Sequence, residues 1–194
     1  MKKLIGLKKV KTAVFISGRG SNLKNLIKFS NKKKSPISIN LIISNKKKAK
    51  GLKFAKQNKI EKKIVNFTNL RKAENKILYL LNKKKINFIC LAGFMKVLSA
   101  TFVNKFKGKI INIHPSLLPK YKGLNTHKKV LENNEKFSGC TVHYVTSKLD
   151  SGKIIMQKKI RIAKNETVQS LEKKILKKEY ILYPLAIKQI FINL

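Results

Sequence analysis

Acidic residues are nearly missing from this sequence: 8 Asp and Glu stand against 46 Lys and Arg, a formal charge of +38 over 194 residues. Taken alone, such a balance points toward nucleic acid. Arginine is scarce as well, however, with only Arg19, Arg71 and Arg161 present, whereas surfaces built to grip phosphate draw on the bidentate guanidinium fork. The absence of Trp and the excess of Lys, Asn and Ile read as drift of surface positions toward lysine. The expectation is a solvated charged face with no specific nucleic-acid partner. The only two cysteines, Cys90 and Cys140, are far apart and set in apolar stretches. They argue against a disulfide framework or a metal knuckle and fit small buried hydrophobes in a reducing cytoplasm. No run approaches the roughly 18 to 20 apolar residues of a membrane helix. The apolar stretch after the basic start, Ala13 to Ile16, is short for a secretory core. A soluble, cytoplasmic protein with no membrane partner is expected.

Internal repeats and Gly/Ser linkers are also lacking, and the length suits one core, so a single domain over 1–194 is expected, with residues 1–11 as a basic N-terminal extension. Apolar runs alternate with segments of helical period, the pattern of an α/β fold with a mostly parallel central sheet flanked by helices. Strands are predicted near 13–17, 38–44, 63–67, 87–92, 109–114, 139–145 and 153–161. Helices are predicted near 21–29, 49–58, 70–84, 100–106, 125–132 and 168–190. Leu23, Leu26 and Ile27 form one apolar stripe, Ser21 is placed to cap the first helix, and Pro184 is expected to kink or divide the last one.

Three constellations stand out. The first strand runs into Ser17, Gly18, Arg19, Gly20, Ser21 and Asn22, a glycine-rich turn opening a helix and a natural phosphate cradle. A dinucleotide is not expected there, because the third glycine of that fingerprint is missing and no acidic residue ends the second strand. The strand 109–114 places Asn112 and His114 on one face, where an amide and an imidazole suit an oxyanion. The same pair fits a turn former and a satisfied structural histidine equally well. Asp150 is the only aspartate in the chain, and all three histidines, His114, His127 and His143, lie upstream of it within the same half of the chain. It fits an Asx turn before Gly152 as well as a functional carboxylate.

Taken together, 16–23, Leu91–Met95, Asn112–Tyr121, 139–145 and 149–152, with Gly123, Leu124 and His127, resemble the phosphoribosylglycinamide formyltransferases over nearly the whole chain. The resemblance implies a Rossmann-like formyltransferase fold and transfer of a formyl group from 10-formyltetrahydrofolate to the amine of glycinamide ribonucleotide, without a metal. It implies that Asn112 and a protonated His114 stabilise a tetrahedral oxyanion. Asp150 would raise the His114 pKa and organise proton transfer, with His143 in support. Gly20, Ser21, Asn22 and Glu179 would bind the ribose phosphate side of one substrate. Arg71, Met95, Lys96, Val97, Leu98 and Asn112 would bind the folate. A monomer or homodimer is implied. The sequence departs from the family in its basic start, in ending soon after Tyr183 and Pro184, and in carrying Ser147 and Lys148 where relatives have glutamates. The last change is expected to push the imidazole pKa down. Rival expectations are a methionyl-tRNA formyltransferase, a formyltetrahydrofolate hydrolase, or a polyanion-binding protein on the same scaffold.

Overall fold

The computed structural model describes residues 8–192. The elements in chain order are β1 (Val10–Ile16), α1 (Ser21–Ser30), β2 (Ile37–Ser44), α2 (Leu52–Gln57), β3 (Glu61–Ile64), α3 (Leu70–Lys83), β4 (Phe88–Leu91), α4 (Ala100–Lys105), β5 (Lys109–His114), α5 (Thr126–Glu132), β6 (Phe137–Tyr144), β7 (Ile154–Arg161) and α6 (Val168–Ile192). This is the α/β alternation expected. The described residues fall into two compact units, one running up to Lys96 and including the chain from Ile187, the other spanning Val97–Ala186.

The first unit is parallel throughout: β1 pairs with β2 and β4, and β2 with β3. Helices α1, α2 and α3 make the crossovers that parallel neighbours require. Because a parallel sheet is covered on both faces, its central strands are apolar without alternation. Ala13, Val14, Phe15 and Ile16 of β1 are all fully buried. The stripe Leu23, Leu26 and Ile27 of α1 is buried as predicted, and Ala73, Ile77 and Leu81 do the same for α3. Asn69 caps α3 by accepting the Lys72 amide at 2.9 Å.

Residues 1–7 of the expected basic extension lie outside the described residues. Its remainder is not an appendage, since Val10 and Lys11 already belong to β1. Lys9 Nζ donates to the carbonyls of Ser30 and Lys32 at 2.7 and 2.9 Å, a cation where the α1 dipole ends negative. β3 comes earlier than the predicted 63–67, because it is an edge strand defined by its pairing with β2 rather than by its own apolar residues. Val65 and Phe67, which drew the prediction forward, are buried beyond its end.

The second unit is antiparallel, with β6 between β5 and β7. Tyr183 of α6 is fully buried and donates its hydroxyl to the Ile111 carbonyl at 3.3 Å. Helix α6 is not divided at Pro184, which stands inside it. Buried side chains on either side, Leu182, Tyr183, Ala186 and Ile187, offset the one hydrogen bond that proline removes. Cys90 and Cys140 are both buried and neither is in a disulfide, and burial pushes the Cys140 thiol up to about 12.

Burial predicts where stability resides. Ile77→Ala opens a cavity in a fully buried site and should cost about 2 to 5 kcal/mol. Tyr79→Ala, on the exposed face of the same helix at 64% exposure, should cost no more than ~0.5 kcal/mol. Urea denaturation of both variants checks the contrast.

Candidate active site

In the first unit, β1 delivers the chain into the glycine-rich turn. Gly20 has φ 75, and a Cβ there would lie 2.5 Å from the Gly51 Cα, so only glycine fits. The Lys24 amide donates to the Gly20 carbonyl at 2.9 Å, which makes Gly20 the N-cap of α1. Ser21 therefore sits inside the first turn and does not cap it as expected, and no side chain takes that role. First-turn amides without a capping side chain suit an anion. The turn is braced by Ser17, whose Oγ donates to Asn45 Oδ1 at 2.6 Å and accepts the Met95 amide at 2.8 Å. The Gly51 amide donates to Gly18 at 3.0 Å. Asn22 is buried, Arg71 is exposed in the first turn of α3, and Met95 and Lys96 are exposed.

In the second unit, strand alternation puts Asn112 and His114 on one face as predicted, and the register sets Asn112 opposite His143 and His114 opposite Thr141. His114 and His143 are buried, whereas Asn112 is partly exposed. His143 Nδ1 lies 2.8 Å from the Tyr144 carbonyl, so that nitrogen donates. Its Nε2 is 3.3 Å from Asn112 Nδ2 and accepts from it. That contact orients the Asn112 amide and leaves its second N–H for another acceptor.

Asp150 completes the cluster. Its Oδ2 is 3.3 Å from His114 Nδ1 and its Oδ1 is 3.5 Å from His143 Nε2. It adopts φ 45, a left-handed conformation that Asp tolerates. The adjoining Gly152 could not carry a Cβ, which would meet the Tyr144 carbonyl at 1.8 Å. The Gly123 amide donates to Oδ2 at 2.9 Å. Burial would lift the Asp150 pKa, but the contact with His143, the hydrogen bond from Gly123 and the charge of the neighbouring imidazoles outweigh it and hold the carboxyl below its ordinary range.

His114 Nε2 lies 2.8 Å from the Tyr121 carbonyl and Nδ1 faces the carboxylate. Either neutral tautomer turns one lone pair toward an oxygen; the imidazolium alone donates to both. Burial nonetheless lowers the His114 pKa, offset in part by Tyr121 and Asp150 and reinforced by His143. Asp150 therefore pulls in the predicted direction, but its pull does not win in the resting site, and the expectation of a permanently cationic ring gives way to a poised one.

The segment between them is held by side chains that sequence reasoning passed over. Thr141 Oγ1 donates to the Ser116 carbonyl at 2.7 Å and accepts the Leu118 amide at 3.1 Å. Gln157 Nε2 donates to Leu118 O and Thr141 Oγ1, both at 2.8 Å. The structure thus brings together Asn112, His114, His143 and Asp150. Of the residues predicted to bind folate, Val97 is exposed and Leu98 is buried, its side chain committed to packing. Glu179 is buried on α6, where its charge pushes the Cys140 thiol up. The missed contributors, the Tyr121 carbonyl and the Gly123 amide, are backbone groups with no residue-type signature. The positive φ of 78 at Gly123 was the one trace available, as a glycine within the motif. Among the described residues no group of three or more His, Cys, Asp or Glu is disposed to hold a metal, and no helix is long and apolar enough to cross a membrane.

Comparison with known proteins bears on what this cluster is for. The formyl transferase family model matches residues 10–187. The chain belongs to the formyl transferase family. As a formyltransferase it is 41% identical over 181 residues to phosphoribosylglycinamide formyltransferase of Haemophilus influenzae, covering 92% of this chain and 85% of that protein. The Escherichia coli K12 protein of the same name is 37% identical, with 90% and 84% covered. The chain also matches the trifunctional purine biosynthetic protein adenosine-3 of Gallus gallus at 39% identity, but spans only 18% of that protein's length. The crystal structure of phosphoribosylglycinamide formyltransferase from Brucella melitensis superposes with a TM-score of 0.88 at 39% identity, covering 95% of this chain and 96% of that one. The fold is therefore that of the formyltransferases.

The lowered imidazole pKa values carry a sign for stability. His127 is also depressed, by burial, against the attraction of Glu172 and with the repulsion of His114. For His114 and His127 the unfolded chain takes up its proton near 6.5, at higher pH than the folded chain. Their contribution is fully present above that value and is lost as pH falls through the lower folded values. The depressed Asp150 adds a further loss below its ordinary 3.8. Urea midpoints measured from about pH 8 to about pH 5 should fall; a midpoint that is flat or rises would contradict the assignment.

Proposed function

We propose that this formyltransferase moves the formyl group of 10-formyltetrahydrofolate onto the amine of glycinamide ribonucleotide, a step of purine biosynthesis. One observation carries the reading: the sole aspartate, Asp150, lies within hydrogen-bond range of both His114 and His143, and the Asn112 amide lies within range of His143, in a chain with relatives named phosphoribosylglycinamide formyltransferase. The substrate amine attacks the formyl carbon, forming the new C–N bond and moving the carbonyl pair onto oxygen. The free N–H of Asn112 and Nδ1–H of His114 stabilise that oxyanion. The Tyr121 carbonyl occupies Nε2, so only Nδ1 serves. The negative charge developing beside the ring offsets the burial that disfavours its charged form, so His114 takes up a proton from solvent and releases it when the adduct collapses, its Nδ1–H shared between Asp150 and the oxyanion. Asp150 accepts the proton of the attacking amine, directly or through water, and collapse of the adduct returns a proton to the departing folate nitrogen.

In this reading Gly20, Ser21 and Asn22 receive the ribose phosphate through first-turn amides, and Glu179 recognises the ribose or glycinamide end. Met95, Lys96, Val97 and Leu98 line the pterin slot, Leu98 through its backbone, and Arg71 faces the folate tail. The enzyme works in the cytoplasm as a monomer or homodimer on two small molecules, without a metal or a specific nucleic acid. Its lysines attract both anionic substrates.

Steady-state transfer with Asn112→Ala should fall about 10² to 10³-fold in kcat, with folding retained by circular dichroism. Without the amine substrate, folate deformylation should be negligible. Equal folate turnover with and without the amine would make the enzyme a hydrolase instead.

A further inference from the structure

The stretch from Tyr121 to Gly123 offers the cluster only its backbone: the Tyr121 carbonyl on His114 Nε2 and the Gly123 amide on Asp150. A carbonyl can fix an imidazole only if its own peptide is fixed. Tyr121 has φ 57, a left-handed conformation that a bulky side chain keeps only when its surroundings over-determine it. Those surroundings are visible. The Tyr121 hydroxyl donates to Glu135 Oε1 at 2.9 Å, and Lys120 Nζ donates to the same oxygen at 2.8 Å. On the main-chain side, Ser116 Oγ donates to the Lys120 carbonyl at 2.7 Å and lies 3.3 Å from that of Tyr121. Glu135 is one of only 8 acidic residues in a chain with 46 basic ones, and the two donors on it hold its carboxyl below the ordinary range.

We propose that Glu135, acting through the Tyr121 hydroxyl, is a positioning residue that keeps the Tyr121 carbonyl on His114 Nε2 and so keeps Nδ1 turned to Asp150 and the reacting group. The assignment rests on the reading that His114 serves formyl transfer. Without the clamp, the Tyr121 peptide can leave the left-handed region, the ring loses its fixed acceptor, and Nε2 and Nδ1 become interchangeable by a flip. The groups that set the charge of the ring are then the Tyr121 carbonyl, Asp150, His143 and, at longer range, His127. Of these only the first depends on Glu135. A surface staple with no such role would lower stability and leave the titration of the buried ring untouched.

The test uses the full chain with Tyr121→Phe, Glu135→Ala and Glu135→Gln. Two quantities are followed: the His114 midpoint by imidazole NMR, with its resonance assigned by loss in His114→Asn, and the pH profile of formyl transfer. Tyr121→Phe and Glu135→Ala should move the His114 midpoint down by about half a unit. The limb of the profile that His114 controls should shift the same way, and kcat should fall about three- to tenfold with KM nearly unchanged. Glu135→Gln, which keeps an acceptor oxygen for the hydroxyl, should restore most of the shift. A lower melting temperature with an unchanged His114 midpoint overturns the proposal. A midpoint shifted in the variants, together with a wild-type protein that transfers no formyl group, would uphold the clamp and sink the functional reading instead.

Discussion

A buried imidazole between two oxygen acceptors is the constraint around which the second unit is organised. His114 contacts the Tyr121 carbonyl on one nitrogen and Asp150 on the other, and neither neutral form satisfies both. Burial penalises the only form that does. A side chain held between these opposing demands changes charge state in response to a nearby negative charge, which is the property an oxyanion site requires. Much around it serves to hold the two acceptors: the Gly123 amide on Asp150, the Glu135 contact with the Tyr121 hydroxyl, and the Thr141 and Gln157 hydrogen bonds beneath the 116–118 segment.

The two units solve different problems with different sheets. The parallel unit buries most of its central strands β1, β2 and β4, and at the carboxyl end of β1 Ser17, Gly20 and Gly51 shape an open first turn of α1. The antiparallel unit aligns residues across strands, and this register places Asn112 beside His143. In the proposed function, one arrangement presents amides to an anion and the other presents side chains to a reacting carbonyl. Carboxylates are so scarce that those present are easy to trace. Asp150 faces two histidines, Glu135 receives Lys120 and Tyr121, and Glu61 and Glu166 pair with lysines.

Much of this was legible in the sequence, for identifiable reasons. Strong periodicity located α1, α3 and β5, because side-chain burial alone determines those elements. β3 was displaced because an edge strand is defined by backbone pairing, which side chains report poorly. Ser21 was misplaced as a cap because the left-handed Gly20 starts the helix one residue earlier. Pro184 did not divide α6 because packing on both sides exceeds the loss of one hydrogen bond. In the site, Asn112, His114 and Asp150 were readable as residue types at strand ends. The sign of the His114 shift was not, since burial depends on the folded surroundings of the ring rather than on its named partner. Tyr121 and Gly123 act through carbonyl and amide groups that every residue possesses.

The account stands on Asp150 pulling charge onto His114 against the opposing effect of burial. The most direct measurement is an imidazole ¹⁵N NMR titration of His114 in the wild-type chain and in Asp150→Asn. Loss of the carboxylate should lower the His114 pKa still further below its wild-type value. An unchanged or higher value in Asp150→Asn would contradict the coupling.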